Sequence, residues 1–257
     1  MTGEKIAIVT GGNRGMGFET CRQLGRLGFK VILCCRDPSV GELAAAKLRN
    51  EDLSVEAFRL DLTRPEEIAA LVMHARRFLR RVDVLVNNAG IYLEIGGTTV
   101  NARISAFDAR LEVVRAILET NLIGPFALSQ GIIALMRDQG HGRVVSVTSA
   151  MGQLSDMGGG APGFRLAAVG INGMTKMFAE ELRGTDVLVN SVDPGWVELA
   201  VPMPHEASKT VLLRRSGLRL FQSVGHRVNS SAISSRSPGD PARTYANAAG
   251  ESCFSTI

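Results

Sequence analysis

Six short apolar runs, each followed by a segment of helical or turn character, most narrowly limit how this chain can fold. They are residues 5–10 (KIAIVT), 30–35 (KVILCC), 55–60 (VEAFRL), 82–86 (VDVLV), 143–147 (RVVSV) and 186–192 (DVLVNSV). The third run alternates; the others are too apolar for a half-exposed strand. Strands buried on both faces belong in a parallel sheet covered by helices on each side. The intervening segments supply the helices. Phe18, Cys21, Leu24 and Leu27 stand three apart, and residues 41–49, 64–80, 106–137 and 164–183 also read as helical. Pro65 suits a first helical turn, and Glu66 and Glu67 favour its positive end. The 106–137 tract is interrupted by Asn-Leu-Ile-Gly-Pro, beginning at Asn121. Regular alternation of β and α predicts a doubly wound α/β sheet in three α/β/α layers.

Composition agrees and excludes other classes. The chain has 257 residues, 45% hydrophobic and 21% charged, which is enough for a full core. That excludes a disordered chain, a collagen-like repeat and a small disulfide scaffold. No apolar run reaches the roughly 18 residues of a membrane helix, and no signal peptide is expected. Cys21, Cys34, Cys35 and Cys253 form no C-x-x-C pair, so neither a disulfide framework nor a metal site is expected, and a reducing, cytoplasmic setting is. The net charge of +4 is unevenly placed. Residues 1–197 hold 22 Lys and Arg against 21 Asp and Glu, whereas residues 198–257 hold 7 against 4. A nucleic-acid surface is not expected, because no reading helix and no arginine–aromatic interleaving accompanies the charge.

In a doubly wound sheet, ligands sit beyond the carboxyl ends of the strands. The first run is followed by Thr10-Gly11-Gly12-Asn13-Arg14-Gly15-Met16-Gly17. Glycines there let backbone approach a pyrophosphate, whose charge meets amides at a helix N-terminus. Alone, such a turn also suits an ordinary strand–helix connection. The second run ends at Arg36-Asp37, where an arginine suits an adenosine 2′-phosphate and a carboxylate suits a 2′-hydroxyl. Arg14 and Arg36 together favour NADP(H) over NAD(H), with Asp37 open to a turn with Pro38. The remaining runs end at Asp61-Leu62, Asn87-Asn88-Ala89-Gly90, Ser149 and Pro194-Gly195-Trp196-Val197.

Together these segments, with Asn121 and the Ser149–Gly152 stretch, resemble the short-chain dehydrogenase/reductase family over about residues 4–197. The Asn-Arg-Gly-Met-Gly turn and Arg36-Asp37 look most like its carbonyl reductase-like, NADP-dependent members. The resemblance implies a Rossmann-type fold. It also implies cofactor contacts from Gly11, Asn13, Arg14, Gly15, Met16, Gly17, Arg36, Asp61, Leu62, Asn88, Ala89, Gly90, Pro194, Gly195 and Val197. Family chemistry uses an Asn, a Ser, a Tyr and a Lys. The serine holds the carbonyl or alcohol oxygen, the tyrosine carries the proton, and the lysine holds the ribose and lowers the tyrosine pKa. Asn121 and Ser149 match. Phe164 stands at the tyrosine position, Ala168 at the lysine position and Ala167 where serine is frequent.

Phenylalanine has no ionisable hydroxyl and alanine no ammonium, so general acid and tuning cation are both absent. Lys176 lies eight residues past Ala168, about 12 Å along a helix, too far to substitute. The only tyrosines are Tyr92 and Tyr245, and the position of Tyr92 in the chain does not suggest the acid. The expected function is therefore a scaffold for NADP(H)-dependent carbonyl reduction or alcohol oxidation with impaired turnover. Its alternatives are a non-catalytic NADP(H)-binding sensor or dimerisation partner, and residual turnover through Ser149 and water. The expected partners are a small carbonyl or alcohol substrate and further copies of the chain, as a homodimer or homotetramer. Residues 1–197 read as the nucleotide-binding body and 198–257 as a divergent lid and tail. A lid helix is expected near 208–224, with loop or disorder composition beyond and no seventh strand.

Overall fold

A computed structural model describes residues 4–94, 104–194 and the short strand Arg243–Tyr245. Seven strands form one sheet: β1 (Lys5–Thr10), β2 (Phe29–Cys35), β3 (Val55–Arg59), β4 (Val84–Asn87), β5 (Gly142–Val147), β6 (Val187–Asp193) and β7 (Arg243–Tyr245). Their order is β3-β2-β1-β4-β5-β6-β7. The first six are parallel, and β7 runs antiparallel to β6, pairing Val192 with Thr244. The order reverses between β1 and β4, so the crevice beyond those strand ends is the switch point where such sheets take ligands.

The expected doubly wound layout is present. Successive β1 residues enter opposite cores: Ile6 and Ile8 join one, Ala7 and Val9 the other. The helices are α1 (Gly15–Arg26), α2 (Pro38–Arg49), α3 (Pro65–His74), α4 (Leu111–Leu118), α5 (Gly124–Gln139) and α6 (Pro162–Glu181). Cys21 and Leu24 of α1 and Ala45 and Leu48 of α2 cover the second core; Leu71 of α3 and Leu128, Ile132 and Met136 of α5 cover the first. Ile8, Leu24, Ile32 and Leu85 are fully buried, and each such side chain stabilises by about 1.5–3 kcal/mol relative to exposure. Among the described residues, no helix is long and apolar enough to cross a membrane.

Three details differ from the sequence expectation. The tract expected to be helical from Ala106 begins at Leu111, because residues 106–108 form a turn closed by Asp108 N–H donating to the Ser105 carbonyl. The Asn-Leu-Ile-Gly-Pro interruption does not break the rod: a π-helical turn (Glu119–Ile123) joins α4 to α5. Helices accept such bulges without parting, commonly at functional positions. A seventh strand does exist. Three residues carry no periodicity to read, and the pairing comes from the edge that β6 offers.

Candidate active site

The carboxyl edge at β1 is built from backbone. Gly11 has φ +65°, and a Cβ there would lie 2.9 Å from Ala89 Cα. A Cβ on Gly17 would lie 2.3 Å from the Gly11 carbonyl oxygen and 2.4 Å from Asn88 Nδ2. Close approach therefore requires glycine at both positions, and at Gly11 the left-handed backbone requires it as well. Thr10 and Asn88 bolt the two turns of the switch point together. Asn88 and Ala89 N–H both donate to Thr10 Oγ1 at 3.0 Å, and Asn88 Nδ2 donates to the carbonyls of Thr10 (2.9 Å) and Gly11 (3.3 Å). The Asn88 side chain thus shapes the turn.

The N-terminus of α1 has no acidic residue in its first turn and no side-chain cap from Arg14. The amides around Gly15, Met16 and Gly17 are consequently left for an anion. The neighbouring α2 is different. Asp37 caps it, accepting from Ser39 N–H at 2.9 Å, the Ser39 hydroxyl at 2.6 Å and Val40 N–H at 3.3 Å. The Ser39 hydroxyl and these amides hold its carboxyl below the usual range. Of the two readings open for Asp37, the structure shows the turn. Arg14 and Arg36 are exposed, and among the described residues neither takes part in an ion pair. Burial opposes ionisation of Asp61, but the Thr63 amide and hydroxyl with Arg36 and Arg64 outweigh it and keep its pKa low. Asp61 Oδ1 accepts from Thr63 N–H at 2.9 Å and its hydroxyl at 2.8 Å. Leu62 is a core residue at 4% exposure. Asn13 and Met16 are half-buried at the turn, and Pro194, just after β6, is half-buried. Gly195 and Val197 lie outside the described residues, as do the lid and tail expected at 198–257 apart from Arg243–Tyr245.

The edge at β5 is built from side chains. Ser149 follows β5, and its Oγ accepts from Met151 N–H at 3.2 Å, leaving its own hydrogen to donate. The following turn packs on α6: a Cβ on Gly152 would lie 2.7 Å from Ala168 Cβ, and Thr148 Oγ1 donates to the Ala168 carbonyl at 3.3 Å. These contacts bring the Ser149 turn against the helix that carries Phe164 and Ala168. Ala168 is buried at 5% exposure and Phe164 is half-buried. Asn121, in the π turn, grips the backbone of Ile91 with both ends of its amide, each at 2.8 Å. Gly90 lies close beside it, since a Cβ there would be 3.5 Å from Asn121 Oδ1.

Three site residues escape the sequence reading. Glu94 is buried at 1% exposure, and its carboxylate accepts from Gly163 N–H (2.8 Å) and Phe164 N–H (2.9 Å), capping α6 from 70 residues away. Buried Arg165 holds the loop before α6, donating to the Gly160 carbonyl at 2.8 Å and the Gly159 carbonyl at 3.1 Å. Tyr92 lies with its ring 5.0 Å from that of Phe164, edge to face at 75°. Its place in the chain gives it no role, whereas folding sets its ring against Phe164.

A parallel sheet with open amides at the switch point and a serine turn against a long helix is the arrangement of a doubly wound nucleotide-binding domain. Residues 5–211 match the profile of the short chain dehydrogenases, and the chain belongs to that family. It is 34% identical over 196 residues to a putative ketoacyl reductase of Streptomyces coelicolor, covering 76% of this chain and 71% of the relative. It also resembles a single-substitution variant of the actinorhodin polyketide ketoreductase solved with NADPH, at TM-score 0.65 and 33% identity over 76% of this chain and 71% of that one. A metagenomic short-chain oxidoreductase solved with NADP gives TM-score 0.65 and 30% identity, over 75% of this chain and 82% of that one.

Proposed function

We propose that the chain binds NADP(H) at the β1–β4 switch point and is a scaffold for carbonyl reduction or alcohol oxidation whose proton-transfer residues have been replaced. The observation that carries this reading is the contrast between the α1 N-terminus, with no side-chain cap and no acidic residue in its first turn, and the closed Asp37 cap one strand away, Arg14 and Arg36 being exposed and in no ion pair among the described residues. The NADPH and NADP held by the two solved relatives support it. Gly11, Gly15 and Gly17 would admit the pyrophosphate, Arg14 and Arg36 would meet the 2′-phosphate, and Asp61 would face the adenine side. When bound, the cofactor supplies or accepts a hydride.

Ser149 would donate to the substrate oxygen. At the next position the family resemblance leaves a phenyl ring and a methyl group, so neither the proton nor the cation that would tune its donor is present at Phe164 and Ala168. Loss of general acid catalysis costs roughly 10²–10⁴ in rate. Residues 1–197 would form this binding body, with 198–257 as a separate lid and tail. Exposed Leu111 on α4 and Leu166 and Met177 on α6 support homo-oligomerisation through these helices, which light scattering would test. The free thiols of Cys21, Cys34 and Cys35 fit a cytoplasmic setting.

The test is cofactor binding followed by nicotinamide fluorescence. NADPH is expected to bind more tightly than NADH. Replacing Arg14 and Arg36 by Ala should weaken NADPH roughly tenfold or more, at about 1.4 kcal/mol per factor of ten, and leave NADH unchanged. Equal binding of the two cofactors overturns the NADP assignment, and binding without turnover under any condition identifies a sensor.

A further inference from the structure

The loop after β4 is held at two points. Asn121 fixes the Ile91 backbone through both amide atoms at 2.8 Å. Three residues on, the buried Glu94 carboxylate is locked onto the first turn of α6. Tyr92 lies between these anchors, so its backbone has little freedom. Its half-buried ring meets Phe164 edge to face at 5.0 Å. Among the described side chains it is the only phenol, and no described residue hydrogen-bonds its hydroxyl. An aromatic pair of this geometry stabilises by about 0.5–1.5 kcal/mol beyond its buried area, and here it fixes the ring that carries the hydroxyl. Phe164 thus keeps the shape of the position, and the ring packed against it carries a phenol. Tyr92 also follows Gly90 by two residues, on the segment proposed to border the cofactor.

We propose that Tyr92 is the proton donor of this active site, acting on the carbonyl oxygen that Ser149 holds, with Phe164 as the wall that positions its ring. The proposal rests on the reading of the chain as an NADP(H)-dependent reductase scaffold. In the step, the carbonyl carbon accepts a hydride from the reduced nicotinamide and forms a C–H bond. The C=O π pair moves to oxygen, and the Tyr92 Oη–H bond breaks as the new O–H bond forms. The products are the alcohol, the oxidised nicotinamide and a Tyr92 phenolate, which water reprotonates.

Two measurements on the full chain test this, one independent of turnover. In the first, tetranitromethane nitration of Tyr92 is read by peptide mass spectrometry with and without NADP⁺. Bound NADP⁺ should slow nitration several-fold; a rate indifferent to saturating NADP⁺ overturns the placement. In the second, NADPH oxidation is followed with a panel of ketones and aldehydes. Tyr92→Phe should lower turnover roughly 10²-fold or more while NADPH affinity stays within twofold, and unchanged turnover overturns the proposal. The variant Phe164→Tyr with Ala168→Lys separates the two levels. If it turns over, and does so equally with Tyr92→Phe added, the reductase reading stands and Tyr92 acts only in the unaltered chain, as proposed. If it turns over while the unaltered chain is silent, the Tyr92 assignment alone fails. If NADPH binds but neither protein turns over, the reductase reading fails and the Tyr92 assignment fails with it.

Discussion

The two ends of the crevice are built on opposite principles. Under β1 the chain leaves the first turn of α1 without a side-chain cap or an acidic residue; under β5 it plugs the α6 amides with a buried carboxylate and lines the helix with Phe164, Ala167 and Ala168. Phosphate binding needs backbone geometry, which the fold enforces through close approaches at Gly11 and Gly17. Proton transfer needs particular side chains, which the fold does not require. A chain can therefore keep the first function while losing the usual means of the second, and the helix survives because Phe and Ala preserve its packing and propensity.

The largest test of that contrast is restoration. On a Tyr92→Phe background, Phe164→Tyr with Ala168→Lys should raise NADPH-dependent carbonyl turnover roughly 10²–10⁴-fold, measured as NADPH oxidation. The single Phe164→Tyr variant, which restores the phenol without its tuning cation, should gain less. No gain in either would show that the β5 end has lost more than two side chains.

The β1 end can be broken sterically. Gly17→Ala places a methyl on the Gly11 carbonyl and should cost about 3 kcal/mol in a urea unfolding curve, whereas Gly15→Ala, with φ +55° and nothing within 4 Å, should cost about 1–2 kcal/mol from backbone strain alone. Equal costs would mean that approach is not what selects glycine there.

The plug at the other end is also measurable. Glu94→Ala leaves one buried and one part-buried amide without an acceptor and should lower stability by about 1–3 kcal/mol. Hydrogen exchange should accelerate at the start of α6 and remain unchanged at α1. If α1 loosened equally, the two ends would not be independent.

The smallest effect lies away from both ends and serves as a reference. Asp186 accepts from His141 and pairs with Arg143, and these contacts lower its carboxyl pKa. A carboxylate whose folded pKa lies below its unfolded value stabilises above the unfolded value and loses that contribution as pH falls through the folded one. Asp186→Asn should therefore lower stability slightly and evenly above about pH 6 and flatten the acid limb of the stability curve, where the wild-type contribution is lost. An acid limb of unchanged slope would give the pair a role other than this linkage.

Much of the fold is legible because it is written locally. Apolar runs such as KVILCC can only be buried, and the sequence expectation matches all six parallel strands to within two residues. The glycine turn is legible for the same reason, since a left-handed residue and a tight approach both demand glycine over a few positions. Phe164 and Ala168 are legible only against the family pattern; in isolation they are ordinary helix residues. Asp37 is ambiguous in sequence because a carboxylate beside a strand end can bind a ribose or cap a helix, and only the bond to Ser39 decides between them. β7 escapes because three residues carry no period.

What the sequence determined by itself was the sheet, its helices and the open glycine turn after β1. Those features depend on neighbours within a few residues, where spacing and residue type dictate conformation. What only the tertiary structure decided was which distant side chains meet at the start of α6. Tyr92 and Phe164 stand 72 residues apart, as do Glu94 and the start of α6 by some 70, and no periodicity connects them. Their contact follows from β4 and α6 delivering their ends to one edge of the sheet.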